Sequence, residues 1–263
     1  AETHRITLGD TYIGGDQKNQ LMIAGPCAVE SREQIEQSCQ MLQKQGIRIL
    51  RAGCYKPRTS PYTFRGLGED GLKLLAEMRD KYGVLIATEM RDASHADKVV
   101  EYADIVQIGA KAMYDHGLLT AAGQSGKPVI LKRGFGSTLQ ELVNAADFIM
   151  SCGNEQVILC ERGIRSFETN TRFTLDLCGV AWLKEHCNLP IIVDPSHAMG
   201  YTYGIPALAR ACTAMGVDGL LIETHPCPAC AQSDAPQQLD HQQFAEMYTS
   251  LQPIAAAVGK NLV

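Results

Sequence analysis

Three things are missing from this 263-residue chain, and each absence removes a class of protein. Its apolar runs are four to six residues long, far short of the roughly 20 needed to cross a bilayer as a helix. Membrane insertion is therefore not expected. No block of like charges forms a tail, and a formal charge of -5 with a pI near 5.8 argues against a surface that wraps nucleic acid. No Pro/Gly/Ser-rich linker divides the chain, so one large α/β domain is expected, and a 45% hydrophobic composition is enough for a sizeable core. The ten cysteines are scattered, with no compact secreted framework and no signal peptide, which reads as a reducing, cytoplasmic setting. The chain opens on Ala1 rather than Met, as a processed chain or a piece of a longer one would.

What is present is a regular alternation. The apolar runs LMIAG (21–25), IRILRA (47–52), VLIATE (84–89), IVQIGA (105–110), PVILKR (128–133), VILCE (157–161), PIIVD (190–194) and GLLIE (219–223) read as strands. Amphipathic stretches follow them near 32–45, 69–81, 93–101, 116–123, 138–151, 172–186, 204–215 and 238–257. Strands this continuously apolar are covered on both faces, as in parallel sheets. Eight βα units in about 240 residues match a closed (β/α)8 TIM barrel, with a doubly wound open sheet as the alternative. Residues 1–20, with ITLGD and YIGGD, read as an N-terminal β-hairpin capping one end of a barrel that spans 21–263.

In such a barrel the chemistry lies at the C-terminal ends of the strands. Those positions read GPC, RAGCYKPR, TEMRD, GAK, KRG, ERGIR, DPSH and ETHP. Arg51, Lys56, Arg58, Lys111, Lys132, Arg133, Arg162 and Arg165 all fall there, whereas the acidic excess is spread over the helices. A ligand with more than one phosphate or carboxylate explains that concentration better than eight independent solvated charges. In KPRTSPY, Pro57 and Pro61 fix φ and restrict their neighbours, so that Lys56, Arg58, Thr59 and Ser60 are held ready for a phosphate. Cys27, His197 and Glu223 end strands one, seven and eight, and Asp234 follows on the last loop. Strands one and eight are neighbours in a closed barrel, so the four can converge into a mixed thiolate, imidazole and carboxylate site suited to a divalent transition metal. Taken singly, each also has an ordinary structural reading.

Other signals carry less. GLGEDG (66–71) matches a dinucleotide fingerprint literally but follows a polar loop rather than a strand, and reads as a Gly-rich helix start. Cys227 and Cys230 form a CxxC with no second CxxC for a structural zinc. His95 and His225 read as structural histidines, and Trp182 as packing.

GPCAVES, LRAGCYKPRTSPYTFRGLG, IGA, PVILKRG, ILCERGIRSFET, IIVDPSH and ETHP...SDAPQQL resemble the type I 3-deoxy-D-arabino-heptulosonate 7-phosphate (DAHP) synthases, in particular their beta subgroup, over residues 21–240. The resemblance implies a metal-dependent, aldol-like condensation of phosphoenolpyruvate with erythrose 4-phosphate that releases phosphate. It implies Cys27, His197, Glu223 and Asp234 as metal ligands, with Mn2+ first and Fe2+, Zn2+, Co2+ or Cd2+ as alternatives. Arg51, Gly109, Ala110, Lys111, Lys132 and Arg162 would hold phosphoenolpyruvate. Lys56, Pro57, Arg58, Thr59 and Ser60 would hold erythrose 4-phosphate. Lys132, Glu89 and His197 would be catalytic, Lys132 as a proton donor if neighbouring cations lower its pKa. The related 3-deoxy-D-manno-octulosonate 8-phosphate synthases carry an Ala-Asn-Arg-Ser-Ser type loop where this chain has KPRTS, which favours the four-carbon sugar. They are the alternative within enzymes, and a non-catalytic metal-binding barrel is the alternative outside them. A cytoplasmic homotetramer or homodimer without a regulatory domain is expected, with no nucleic-acid or membrane partner.

Lys111 stands where the subgroup usually has Arg, AMGYTYG follows DPSH where many members place Gly and Arg residues, and Cys227 and Cys230 replace residues that are usually not cysteines. Those cysteines leave open an oxidative switch in which one of them bridges to Cys27 and displaces the metal.

Overall fold

A computed structural model describes residues 2–56 and 62–263. The chain opens with an antiparallel pair, β1 (Thr3–Leu8) and β2 (Thr11–Gly15). Eight parallel strands then alternate with helices. They are β3 (Asn19–Gly25), β4 (Ile49–Arg51), β5 (Leu85–Glu89), β6 (Ile105–Ile108), β7 (Val129–Lys132), β8 (Val157–Glu161), β9 (Ile191–Val193) and β10 (Gly219–Glu223). β10 pairs with β3 from Gly219↔Leu21 to Glu223↔Gly25, which closes the sheet into the expected barrel and excludes the open sheet. A last strand, β11 (Asn261–Leu262), adds to the start of β3 below the barrel.

The helices are α1 (Arg32–Gln45), α2 (Gly68–Tyr82), α3 (Ala96–Tyr102), α4 (His116–Gln124), α5 (Leu139–Ser151), α6 (Leu177–His186), α7 (Pro195–Met199), α8 (Ile205–Ala214) and α9 (His241–Ala257). Their starts follow side-chain chemistry. Ser31, Asp115, Thr138, Asp176 and Asp240 each accept a backbone N–H from the first turn, and Thr138 with Glu141 closes a capping box. GLGEDG leads into α2, as expected of a helix start rather than a nucleotide loop.

Two helical expectations need correction. The stretch expected to be helical from 172 is not helical before Leu177, because Thr174 bridges back to Ile164 and the Phe173 N–H donates to the Ala198 carbonyl. Asp176 then caps α6. The short helix α7 was not expected at all; Asp194 caps it and Pro195 opens it.

Strand periodicity divides the core in two. One set of side chains, among them Met22, Leu50, Ile86, Val106, Leu131, Leu159, Val193 and Leu220, packs outward against the helices. The other set points into the barrel: Leu21, Ile23, Ile49, Ala87, Ile105, Ile130, Ile158, Cys160, Ile192 and Leu221. Ile6, Leu8 and Ile13 of the hairpin join this inner cluster and seal its lower end, as expected of a cap. Among the described residues no helix is long and apolar enough to cross a membrane.

Candidate active site

Two residues above the inner apolar layer, the same inward-facing rows turn polar. Ile49 is followed by Arg51, Ala87 by Glu89, Ile105 by Gln107, Ile130 by Lys132, Cys160 by Arg162, Ile192 by Asp194 and Leu221 by Glu223. This is the period-two alternation of a strand, carried from packing into chemistry. Arg51, Glu89, Gln107, Lys132 and Arg162 line one cavity together with Cys27, Lys56, Gly109, Ala110, Lys111, His197 and Asp234.

The expected metal ligands converge. Cys27 Sγ, a Glu223 oxygen and an Asp234 oxygen all lie within 4.8 Å of one another. The second ring nitrogen of His197, Nε2, is 3.5 Å from Glu223 Oε1 and 3.8 Å from Asp234 Oδ2. Its Nδ1 lies 2.6 Å from Asp194 Oδ2, while the His197 N–H donates to Asp194 Oδ1 at 2.9 Å. Asp194 thus turns the ring so that Nε2 faces the other three, the arrangement that supports a metal-bound imidazole. The donor set fits a divalent transition ion: one thiol, one oriented imidazole and two carboxylates.

Electrostatics keep these acids apart in behaviour. Burial opposes ionisation of Glu223, but His197, Arg51 and Lys56 hold its pKa down to about 2. Asp194 is likewise held well below the usual carboxylate range by His197 and Lys132, against the cost of full burial. Burial and the charge of Glu223 push the Cys27 thiol up to about 12. A metal must therefore displace a proton from Cys27 to bind the thiolate.

The cations divide unequally. Lys132 Nζ donates to Asp194 Oδ2 at 2.5 Å. Arg51 Nη1 donates to Glu223 Oε1 at 2.7 Å and to the Pro26 carbonyl at 2.8 Å, while its buried Nε has no partner among the described residues. Arg162 also buries a nitrogen, Nη1, with no partner among the described residues, and its guanidinium lies 4.4 Å from the Phe173 ring centroid. Burial lowers the pKa of Arg162. Donors left unmatched at the cavity wall are what a bound anion would satisfy.

Arg133 belongs to another network. By the same alternation it faces away from the cavity, where its Nη1 donates to Glu161 at 2.8 Å and to Asp176 at 2.7 Å. Arg165 lines a neighbouring outer pocket, its guanidinium 4.8 Å from the Phe135 ring centroid. Of the eight basic residues expected at this rim, Arg51, Lys56, Lys111, Lys132 and Arg162 line the cavity, and Arg58 lies outside the described residues. So do Pro57, Thr59 and Ser60.

Two glycines make room. A Cβ at Gly109 would sit 2.3 Å from Glu89 Oε1, and one at Gly53 would sit 2.9 Å from Lys56 Nζ. Each motif glycine gives a charged side chain the space to reach the cavity.

Asp194, Gln107, Arg91, Arg172 and Gln237 were not among the expected site residues. The alternation could have found Asp194 and Gln107, each two positions beyond an inward isoleucine. Arg172 sits where the sequence pattern reads as helix, so nothing local marked it. Cys227 is joined to Cys230 in a disulfide, the pairing that a reducing setting did not lead one to expect, and Cys27 is free and buried. His225 is structural, as expected: its Nε2 lies 3.1 Å from Glu30 and its Nδ1 accepts the Cys227 N–H at 3.0 Å.

The fold is a parallel (β/α)8 barrel, and at the C-terminal ends of its strands Cys27, Glu223 and Asp234 meet beside a cavity lined by Arg51, Lys56, Lys111, Lys132 and Arg162. The DAHP synthetase I family matches residues 3–258, and the chain belongs to it. A phospho-2-dehydro-3-deoxyheptonate aldolase from Thermotoga maritima is 46% identical over 254 residues, covering 97% of this chain and 75% of that protein. A 2-dehydro-3-deoxyphosphooctonate aldolase from Thiobacillus denitrificans is 33% identical, covering 90% of each chain. The crystal structure of the Thermotoga maritima DAHP synthase superposes with a TM-score of 0.96 at 44% identity, covering all of this chain and 76% of that one. A truncated form of 3-deoxy-D-arabino-heptulosonate 7-phosphate synthase from Thermotoga maritima gives 0.93 at 42% identity, covering 100% of this chain and 95% of that chain.

Proposed function

We propose that this chain is a 3-deoxy-D-arabino-heptulosonate 7-phosphate synthase, condensing phosphoenolpyruvate with erythrose 4-phosphate and releasing inorganic phosphate. The observation that carries the reading is the meeting of the Cys27, Glu223 and Asp234 donor atoms within 4.8 Å, directly beside the inward basic row. The higher identity to the heptulosonate relative than to the octulosonate one favours the four-carbon sugar.

Arg51, Lys111, Lys132 and Arg162, with the Gly109 and Ala110 backbone, hold the phosphate and carboxylate of phosphoenolpyruvate, and the unpartnered nitrogens of Arg51 and Arg162 support that role. Lys56 and the segment 57–60 hold erythrose 4-phosphate, the aldehyde toward Cys27 and His197. Cys27, His197, Glu223 and Asp234 would hold a divalent ion, Mn2+ first among the candidates, which would supply Lewis-acid polarisation of that aldehyde. Fixing both substrates in one cavity turns their meeting into an intramolecular event.

Carbon 3 of phosphoenolpyruvate attacks the aldehyde carbon, and positive charge develops at carbon 2. Glu89, which lines the same cavity, takes a proton from the water that adds to carbon 2. The C–O bond to phosphate in the resulting hemiketal then breaks, and phosphate leaves. Lys132 gives a proton to the oxygen formed from the aldehyde, and Asp194, bonded to both Lys132 and His197, keeps them in place.

The hairpin has no core of its own and works as the floor of the barrel, so the chain acts as one domain. Exposed Phe167 and Tyr203 favour a homodimer or homotetramer, which sedimentation would test, and a cytoplasmic location fits this chemistry. The decisive assay is phosphate release from phosphoenolpyruvate with erythrose 4-phosphate or arabinose 5-phosphate, with EDTA and with added Mn2+. Release with erythrose 4-phosphate, lost in EDTA and restored by Mn2+, is expected. Preference for the pentose would move the chain to octulosonate synthesis, and silence with both would leave a non-catalytic barrel.

A further inference from the structure

The sequence Gln237–Gln238 places two adjacent amides under the cage, and they divide their work. Gln238 Oε1 accepts the Cys27 N–H at 3.0 Å, and its Nε2 donates to the Ser233 carbonyl at 2.8 Å. Gln238 therefore fixes backbone. Gln237 fixes side chains instead: its Nε2 donates to Glu223 Oε2 at 2.6 Å and reaches Asp234 Oδ2 at 3.4 Å. One buried amide nitrogen thus spans both carboxylates of the cage, and Asp234 needs such a hold because its backbone is left-handed, at φ 49°.

An amide can perform this bridge only with its nitrogen toward the acids. Flipped, its oxygen would face two carboxylates. The other end of Gln237 excludes the flip, because its Oε1 accepts from Arg172 Nη1 at 2.6 Å, and a guanidinium has donors only. Arg172 is itself built in. Its N–H donates to the Met199 carbonyl, and a Cβ on Gly200 would sit 2.6 Å from its own Cβ, so the glycine that ends α7 is what lets this segment lie against the helix bearing His197. The same guanidinium lines the reaction cavity and the outer pocket beside it.

We propose that Gln237 is a positioning residue that sets the geometry of the Glu223 and Asp234 carboxylates for the metal, and that Arg172 acts through Gln237 by locking its amide. This rests on the reading that the four-donor cage holds a divalent ion. Two opposed effects make the Arg172 part sharp. Arg172 Nη1 lies 3.9 Å from Asp234 Oδ1, so as a bare charge it repels a bound cation, and its removal would tighten metal binding. As the lock on Gln237, its removal loosens the cage and weakens binding. The structure favours the second effect, because the hydrogen bond to Gln237 is short and direct while the path to Asp234 is longer and faces water.

The test is Mn2+ binding to the apo protein, followed by calorimetry and by the loss of free-ion electron paramagnetic resonance signal, with thermal unfolding to confirm that each variant folds. Gln237→Met should bind Mn2+ at least about tenfold more weakly, the ordinary effect of losing such a support. Arg172→Met should bind more weakly by a smaller factor, and Arg172→Lys, which keeps a donor for Oε1, should recover part of the loss. Adding Arg172→Met to Gln237→Met should cause no further weakening, because the lock then has nothing to hold. Wild-type affinity in folded Gln237→Met would overturn the positioning role. Tighter binding by Arg172→Met, or equal weakening in both backgrounds, would overturn the relay while leaving the cage itself intact. Absence of Mn2+ binding by the wild type would overturn the metal reading and this inference together.

Discussion

The two ends of the barrel are made by the same strands and differ by a step of two residues. Below, Ile23, Ile49, Ile105, Ile130, Ile158 and Ile192 fill the interior and Ile6, Leu8 and Ile13 close it. Above, the next inward positions are Arg51, Gln107, Lys132, Asp194 and their neighbours, and the floor is replaced by an open mouth. The lower end excludes water by close packing. The upper end holds buried ion pairs, Arg51 with Glu223 and Lys132 with Asp194. Such buried pairs are costly to break and no more stabilising than apolar packing would be. The lower end has a buried pair too, Lys260 with Asp218, but there it ties β11 to the start of β10 outside the apolar interior, whereas the upper pairs face the cavity.

Lys132 and Arg133 give the hardest test of that contrast, since they are adjacent, both cationic, both buried and both paired. Lys132→Met should lower kcat/KM by at least about a thousandfold, the scale of losing a charged group that acts in the transition state. Near-normal kcat with only a raised KM would make it a binding residue. Arg133→Met should cost roughly 3–5 kcal/mol of stability, because it leaves Glu161 buried and unpaired, while steady-state constants of the folded variant stay close to wild type. A large kcat loss in Arg133→Met would break the inward and outward assignment.

At the opposite end, Ile13→Ala should cost about 2–5 kcal/mol in denaturant unfolding with little effect on turnover, since Ile13 is fully buried in the floor. A turnover loss as large as that of Lys132→Met would show that the floor shapes the site. The smallest expected effect concerns pH. The Glu223 pKa is depressed from 4.5 to about 2, so its contribution to stability is fully present above pH 4.5 and fades as the pH falls toward 2. The stability gap between wild type and Glu223→Gln, measured with EDTA present, should therefore narrow across that window; a constant gap would contradict the assignment.

Much of this was legible in the chain. The eight strands are apolar runs bounded by polar residues, and a parallel barrel requires little more than that. Cys27, His197 and Glu223 could be grouped because closure makes β3 and β10 neighbours, and the structure brings them together. What failed to show was whatever depends on contacts distant in sequence. Arg172 lies 65 positions before its partner Gln237, inside an amphipathic pattern that propensity reads as helix. Arg133 looks like a rim cation until its partner Asp176, 43 positions on, is in place. Cys227 pairs with its neighbour Cys230 rather than with Cys27, a choice made by the loop's turn geometry.

The sequence alone determined the repeat, the hairpin, the set of chemical groups and the strand ends on which they sit, because periodicity and capping are local properties. Tertiary structure decided which of those groups face one another. It set Asp194 between Lys132 and His197, turned Arg133 away, and laid Arg172 against Gly200 to reach Gln237. These outcomes depend on barrel closure and on the loops that cross it, and distance in space is a property that no single stretch of the chain contains.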